Sequence, residues 1–285
     1  MSWKKIVTRL GISAISLLLT LLVLEFVVLR RLDPLGIWNY TKDLGLMFQG
    51  TESDPQKGWV QKPGIYHLSA STATVTEEGR VVPDTNATAT CTIATIGDSV
   101  TFGHGINDED TWVNLLARQY QQAHFINAGV TGYNIENIQA TLEDMDADGY
   151  IYLIINNDAD PPLVWSQSWL SPPSRGGIEI YFLHIRFVLQ VRFAQAYPSP
   201  IPPDYTAFDA HLQEILNHNV QAFVYEAGPA TQHVISAFPQ VAKIEAPTSY
   251  NSWADVHPDP VGNQQIAAQM LPYLSEWVMR TCAGK

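Results

Sequence analysis

A three-layer α/β/α sandwich with a five-stranded parallel sheet, preceded by one transmembrane helix, is the fold class that two observations predict. Beyond Cys91, short apolar runs alternate with helical patterns, the rhythm of a doubly wound sheet. Near the N-terminus, residues 10–29 are apolar apart from small or hydroxylated residues and Glu25, and ~20 such residues span a bilayer as a helix. The divisions that follow are 1–32 as an anchor, 33–90 as a membrane-proximal extracytoplasmic segment, and 91–285 as the α/β domain.

Lys4, Lys5 and Arg9 precede the apolar stretch, while Arg30 and Arg31 follow it. The slight basic bias puts the N-terminus in the cytoplasm and the α/β domain outside, in a periplasm or at the cell surface. A cleaved signal would have a shorter apolar core and a small-x-small site, whereas this run ends in Leu29-Arg30-Arg31-Leu32. Glu25 is expected near the outer end, within reach of interfacial water or of Arg30 and Arg31. From Asp33 to Ala89 the chain is rich in Gly, Pro, Thr, Ser and Asp, with scattered aromatics such as Trp38, Trp59 and Tyr66. Residues 64–69 suit an edge hairpin and 81–83 an extended stretch. No grouping of reactive side chains stands out there.

In the α/β domain, the apolar runs 92–96, 125–127, 150–155, 220–225 and 241–244 read as buried parallel strands. Between them, 111–122, 134–145, 205–216 and 261–279 carry apolar residues at helical spacing. Residues 177–196 are apolar almost all round, with His184, Arg186 and Arg192 interspersed, which fits a lid, a membrane-facing element or a buried core helix.

Charge excludes one class of partner. With 16 basic and 28 acidic side chains among 285 residues, the formal net charge is −12 and no basic stripe is present, so nucleic acid is not an expected partner. Cys91 and Cys282 have no neighbouring Cys or His at metal-ligand spacing, so a zinc site is not supported.

Ser99 directly follows the first core strand, in Ile96-Gly97-Asp98-Ser99. Active sites of open α/β sheets form just beyond the carboxyl ends of strands, and a helix N-terminus there favours a developing oxyanion. A serine hydroxyl needs a base. His257 lies on a loop ahead of the last helix, in Trp253-Ala254-Asp255-Val256-His257-Pro258, with Asp255 two residues before it. A carboxylate bonded to one imidazole nitrogen fixes the tautomer and leaves the other free to take the serine proton. The remaining histidines lack this setting, although His104 is near Ser99 in sequence.

Asn127-Ala128-Gly129-Val130-Thr131-Gly132-Tyr133 after the second strand and Asn156-Asn157-Asp158 after the third complete a set of four blocks. Together they resemble the SGNH/GDSL hydrolase superfamily, bacterial membrane-anchored type, over roughly residues 92–279. The resemblance implies a flavodoxin-like sandwich and a serine esterase or acyltransferase acting on ester-linked acyl groups, without a metal or organic cofactor. It implies Ser99 as nucleophile, His257 as general base, Asp255 as its orienting partner, and an oxyanion hole from the Ser99 and Gly132 backbone N–H groups and the Asn157 amide. Asp98 would support the serine from the turn. Two departures stand out: Ile155 occupies a position that is usually glycine, and Ala254 stands three residues before the histidine, where aspartate is common. They leave open an alternative, a catalytically inactive scaffold that binds polysaccharide. Trp165, Trp169, Tyr133 and Trp253 near the blocks suit a carbohydrate ester.

Cys91 begins the first core strand and Cys282 ends the final helix, which runs back antiparallel to the strands, so both fall at the edge away from the site. An extracytoplasmic domain then favours a disulfide between them over two inert thiols.

Overall fold

In the computed structural model, residues 3–160 and 204–285 are described; the stretch 177–196, Trp165 and Trp169 lie outside them. Helix α1 (Trp3–Val23) continues through a π-helical turn (Leu24–Leu29) into α2 (Arg30–Leu32). Residues Ile6–Leu29, 24 in number with mean hydropathy 2.6, are long and apolar enough to cross a membrane. Glu25 is buried, only 4% exposed.

Five parallel strands form one side of the main sheet: β6 (Cys91–Ile96), β7 (Ala123–Asn127), β8 (Gly149–Ile154), β9 (Val220–Tyr225) and β10 (Ala242–Ile244). Their spatial order is β10-β9-β8-β6-β7. Every residue of β8 is buried, the signature of a strand covered on both faces. Period-two alternation divides its side chains between two cores. Ile151 and Leu153 join Ile93, Phe125 and Phe223 under α5 (Trp112–Gln119) and the last helix, which supply Trp112, Leu116, Ile266, Met270 and Leu274. Tyr150, Tyr152 and Ile154 face Ile138 and Leu142 of α6 (Ile135–Asp144), Phe208 and Leu212 of α7 (Tyr205–Leu216), and Val234 of α8 (Pro229–Ala237). Three layers result.

The sheet is wider than the five strands expected from sequence. Three further strands, β3 (Gly64–His67), β4 (Thr72–Thr76) and β5 (Gly79–Arg80), run antiparallel and extend it beyond β7, while β1 (Thr51–Asp54) and β2 (Gly58–Gln61) pair separately. The junction is one pair, Arg80 opposite Asn127. It covers an edge that would otherwise present unpaired backbone groups. The segment also holds a helix absent from the sequence reading, α3 (Ile37–Gln49).

Arg80 anchors this extension from inside. Its buried guanidinium donates from Nε to Asp108 Oδ1 (2.8 Å), from Nη1 to the Phe102 and Gly103 carbonyls, and from Nη2 to the Ile106 carbonyl (2.6 Å). At the start of the parallel strands Cys91, the first residue of β6, is joined to Cys282, just past the end of the last helix, α9 (Pro260–Thr281), with 5.3 Å between their Cα atoms.

Two outcomes follow for stability. Replacing both cysteines by serine is expected to cost up to about 5 kcal/mol on the chain-entropy model, read by urea denaturation, and thiol titration of the denatured, unreduced chain should find no free thiol. Arg80→Met removes a buried cation and leaves the Asp108 carboxylate uncompensated; a loss of about 3–5 kcal/mol is expected in the same assay.

Candidate active site

The turn after β6 is dictated by its residues. Gly97 has φ of 150°, and a Cβ there would fall 2.3 Å from Thr101 Oγ1, so no larger residue fits. Asp98 then caps α4 (Ser99–Phe102) by accepting from the Val100 N–H at 2.8 Å, which sets Ser99 as the first helical residue. At four residues the helix is too short for a sizeable dipole, so any anion held here depends on individual N–H groups. The helix is braced from below, where Asn127 Nδ2 donates to the Thr101 carbonyl (2.9 Å) and Arg80 takes the next two carbonyls.

His257 arrives from the other end of the domain. Asp259 caps α9 by accepting from the Gly262 N–H (2.8 Å) and Pro260 opens it, so the helix cannot extend back and His257 stays on the preceding loop. That loop is tied by Asn251 N–H to the His257 carbonyl (3.0 Å) and Ser252 N–H to the Asp255 carbonyl (3.2 Å). Ser252 Oγ accepts from the Asp255 N–H (3.0 Å), and Asn251 Nδ2 donates to Asp255 Oδ2 (3.1 Å).

Ser99 Oγ lies 2.7 Å from His257 Nε2, and His257 Nδ1 lies 2.5 Å from Asp255 Oδ1. An ionised carboxylate only accepts, so Nδ1 carries the proton and the Nε2 lone pair faces the serine hydroxyl. Burial would raise the Asp255 pKa, but the adjacent His257 outweighs it and holds the carboxyl down at about 2. For His257, burial disfavours the imidazolium, yet the charge and hydrogen bond of Asp255 prevail and raise its pKa above the ordinary 6.5.

Ser99 Oγ has a second acceptor, Asp98 Oδ2 at 2.9 Å, which also accepts from Asn157 Nδ2 at 3.0 Å. The serine has one proton for two partners. With His257 neutral it donates to Nε2; once His257 is protonated, Nε2–H donates to the serine and the hydroxyl turns to Asp98. Gly132, with φ of 87°, sits in a turn closed by Tyr133 N–H to the Val130 carbonyl (3.2 Å) and pinned to the serine turn by Val130 N–H to the Gly97 carbonyl (3.1 Å). Asp158 is buried and held well above the usual carboxylate range by burial and by Asp98; it accepts from the Tyr152 hydroxyl (2.7 Å) and from the N–H of Ile155.

Three residues at the site escaped the sequence reading of their roles. Tyr40 of α3, from the stretch that showed no reactive grouping, has its ring 6.2 Å from those of His104 and His257. His104 packs at 4.6 Å from the His257 ring; burial and His257 push its pKa down to about 3, and neither ring nitrogen has a hydrogen-bond partner among the described residues. Asn251 links them by donating to the His104 carbonyl (3.1 Å) as well as to Asp255. These contacts join segments far apart in the chain, and no local pattern announces them.

The donor atoms of His104, Asp255 and His257 lie within 4.8 Å of one another, a set that suits zinc in type. Within this set His257 Nδ1 and Asp255 Oδ1 already bind each other at 2.5 Å. Tyr133 is buried and donates its hydroxyl to the Trp59 carbonyl (2.6 Å), so it does not line a sugar site.

No family model matches the sequence, and no curated protein matches it. Among solved structures the chain is similar to a member of the lipolytic G-D-S-L family from Veillonella parvula, with 13% identity over 64% of this chain and 97% of that one and a TM-score of 0.39. It is similar to a family two carbohydrate esterase from Cellvibrio japonicus, with 14% identity over 67% and 62% and a TM-score of 0.40. It is similar also to the psychrotrophic esterase EstA from Pseudoalteromonas sp., with 17% identity over 66% and 98% and a TM-score of 0.39. At these identities and TM-scores the likeness adds nothing to the strand order and the hydrogen-bonded side chains, which carry the functional reading by themselves.

Proposed function

We propose that this chain is a serine esterase or acyltransferase of the SGNH/GDSL type, held to a membrane by its N-terminal helix with the α/β domain on the extracytoplasmic side. The observation that carries the reading is the continuous chain from Ser99 Oγ through His257 to Asp255, at 2.7 and 2.5 Å. An extracytoplasmic position is supported by the Cys91–Cys282 disulfide, since such bonds persist in oxidising compartments.

In this reading His257 Nε2 takes the Ser99 proton as Oγ attacks the ester carbonyl, and Asp255 stabilises the imidazolium. The tetrahedral oxyanion is met by the Ser99 and Gly132 N–H groups and by the Asn157 amide. Nε2–H then protonates the departing alkoxide, which leaves an acyl-Ser99 ester. Water or a sugar hydroxyl, deprotonated by the same nitrogen, releases the acyl group and restores the serine. Asp98 keeps the serine hydroxyl and the Asn157 amide within reach of one another between turnovers. An acetylated carbohydrate is one substrate of this kind.

The test is labelling by a fluorophosphonate, which is expected at Ser99 and abolished in Ser99→Ala; an unlabelled wild-type chain would point to the inactive scaffold. With p-nitrophenyl acetate, Ser99→Ala and His257→Ala should each cost at least ~10³-fold in kcat, and the double variant little more than either. Asn157→Ala should lose about 10²–10³-fold, the usual effect of removing one oxyanion donor. The base must be neutral, and the pKa of His257 is raised above 6.5. The acid limb of kcat/KM should therefore have its midpoint above pH 6.5, and Asp255→Asn, by removing the cause of the upshift, should move the midpoint down along with lowering the rate.

A further inference from the structure

We infer that the loop carrying Asp255 and His257 is built onto the end of the membrane helix and seated on the bilayer surface, so that the ester acted on is an amphiphile presented by that same membrane. The inference rests on the acyl-transfer reading and on α1 crossing a bilayer.

The attachment is direct. Leu29, the last residue of the apolar span, packs against a buried cluster of Ile37, Tyr40 and Ala254. Six residues on, the Leu35 carbonyl accepts from the Ala254 N–H at 3.0 Å. Gly36, with φ of 69°, lies so close to Ser252 that an added Cβ would stand 2.3 Å from its Oγ. Ser252 and Ala254 flank the start of the catalytic turn, and Ser252 Oγ is the acceptor for the Asp255 N–H. Ala254 and His257 are three residues apart, at most about 10 Å of chain. His257 is thus no more than about 10 Å of chain from a residue in the cluster on which the end of the apolar span packs.

The surface around this attachment has the composition of an interface. Leu32 is 71% exposed and Val261 51%, with Leu35, Trp253 and Val256 each at 37%. Between Pro247 and Pro258 the only carboxylate is the buried Asp255, and no Lys or Arg is present. Each of these residues lies within a few positions in sequence of Leu29 or of His257, and tryptophan favours the headgroup level. Continuity with the apolar span selects the bilayer as the occupant of this face. An ester at headgroup depth is then brought to Ser99 by lateral diffusion within one leaflet.

The full chain, reconstituted in phosphatidylcholine–phosphatidylglycerol vesicles, tests both halves. With the native disulfide intact, Val261→Cys offers a single thiol for an environment-sensitive NBD label, and Glu214→Cys on α7 serves as the water-facing control. The Val261 label should be quenched by doxyl lipids and protected from iodide, the Glu214 label the reverse. Equal iodide quenching at both sites, or protection at Val261 without lipid quenching, as a second protein chain would give, overturns the seating. For the substrate, a fluorogenic glycerolipid ester is placed in the enzyme's own vesicles or in separate ones. Confinement should make the shared-vesicle rate at least ~10-fold the higher; equal rates overturn membrane presentation. Hydrolysis of p-nitrophenyl acetate is followed alongside. Its absence, together with no fluorophosphonate labelling, would sink the acyl-transfer reading and the substrate half with it, while the quenching result would still decide the seating.

Discussion

An imidazole can take a serine proton only across a hydrogen bond, and Ser99 and His257 are 158 residues apart in the chain. Closing that gap to 2.7 Å is the constraint around which the molecule is arranged. The parallel sheet delivers Ser99 because β6 ends in a glycine-dependent turn, and α9 delivers His257 because Asp259 and Pro260 prevent the helix from starting any earlier. Each half of the contact is fixed by residues next to it in sequence, and the shared core under Trp112 and Ile266 fixes the halves to each other.

The segment before the α/β domain turns out to be structural support for both halves. Arg80 holds the carbonyl end of the serine helix, while Leu35 and Gly36 hold the histidine loop. A catalytic constellation is only as good as the groups that restrain it. Here those groups come from a stretch in which the sequence showed no grouping of reactive side chains.

What was legible in the sequence follows from the same division. Parallel strands buried on both faces read as unbroken apolar runs, so β6 to β9 could be placed within a residue or two, and α5, α6, α7 and α9 over them showed helical spacing, while α8 was not anticipated. The α3 helix was missed, with Thr41, Asp43 and Gly45 buried beside Ile37, Tyr40 and Met47. Asp43 tolerates burial only because Ser69 donates to it from both N–H and Oγ, a partner 26 residues away that no local pattern reveals. The three extra strands were faint for a similar reason, being two to five residues long and completed by pairing with distant ones. Ser99, His257 and Asp255 stood out because chemistry restricts their types; Tyr40 and Asn251 act through position, and position is written in the fold.

The bond between Cys91 and Cys282 also makes the α/β domain a covalent ring of chain, with the anchor segment entering from outside it. A protease that cuts once anywhere between these two residues opens the ring but releases no fragment. Both pieces stay linked to each other and, through Cys91, to the N-terminal apolar helix. A nicked molecule therefore keeps its parts at an effective concentration set by the bridge, and two cuts are required before any of the domain is shed.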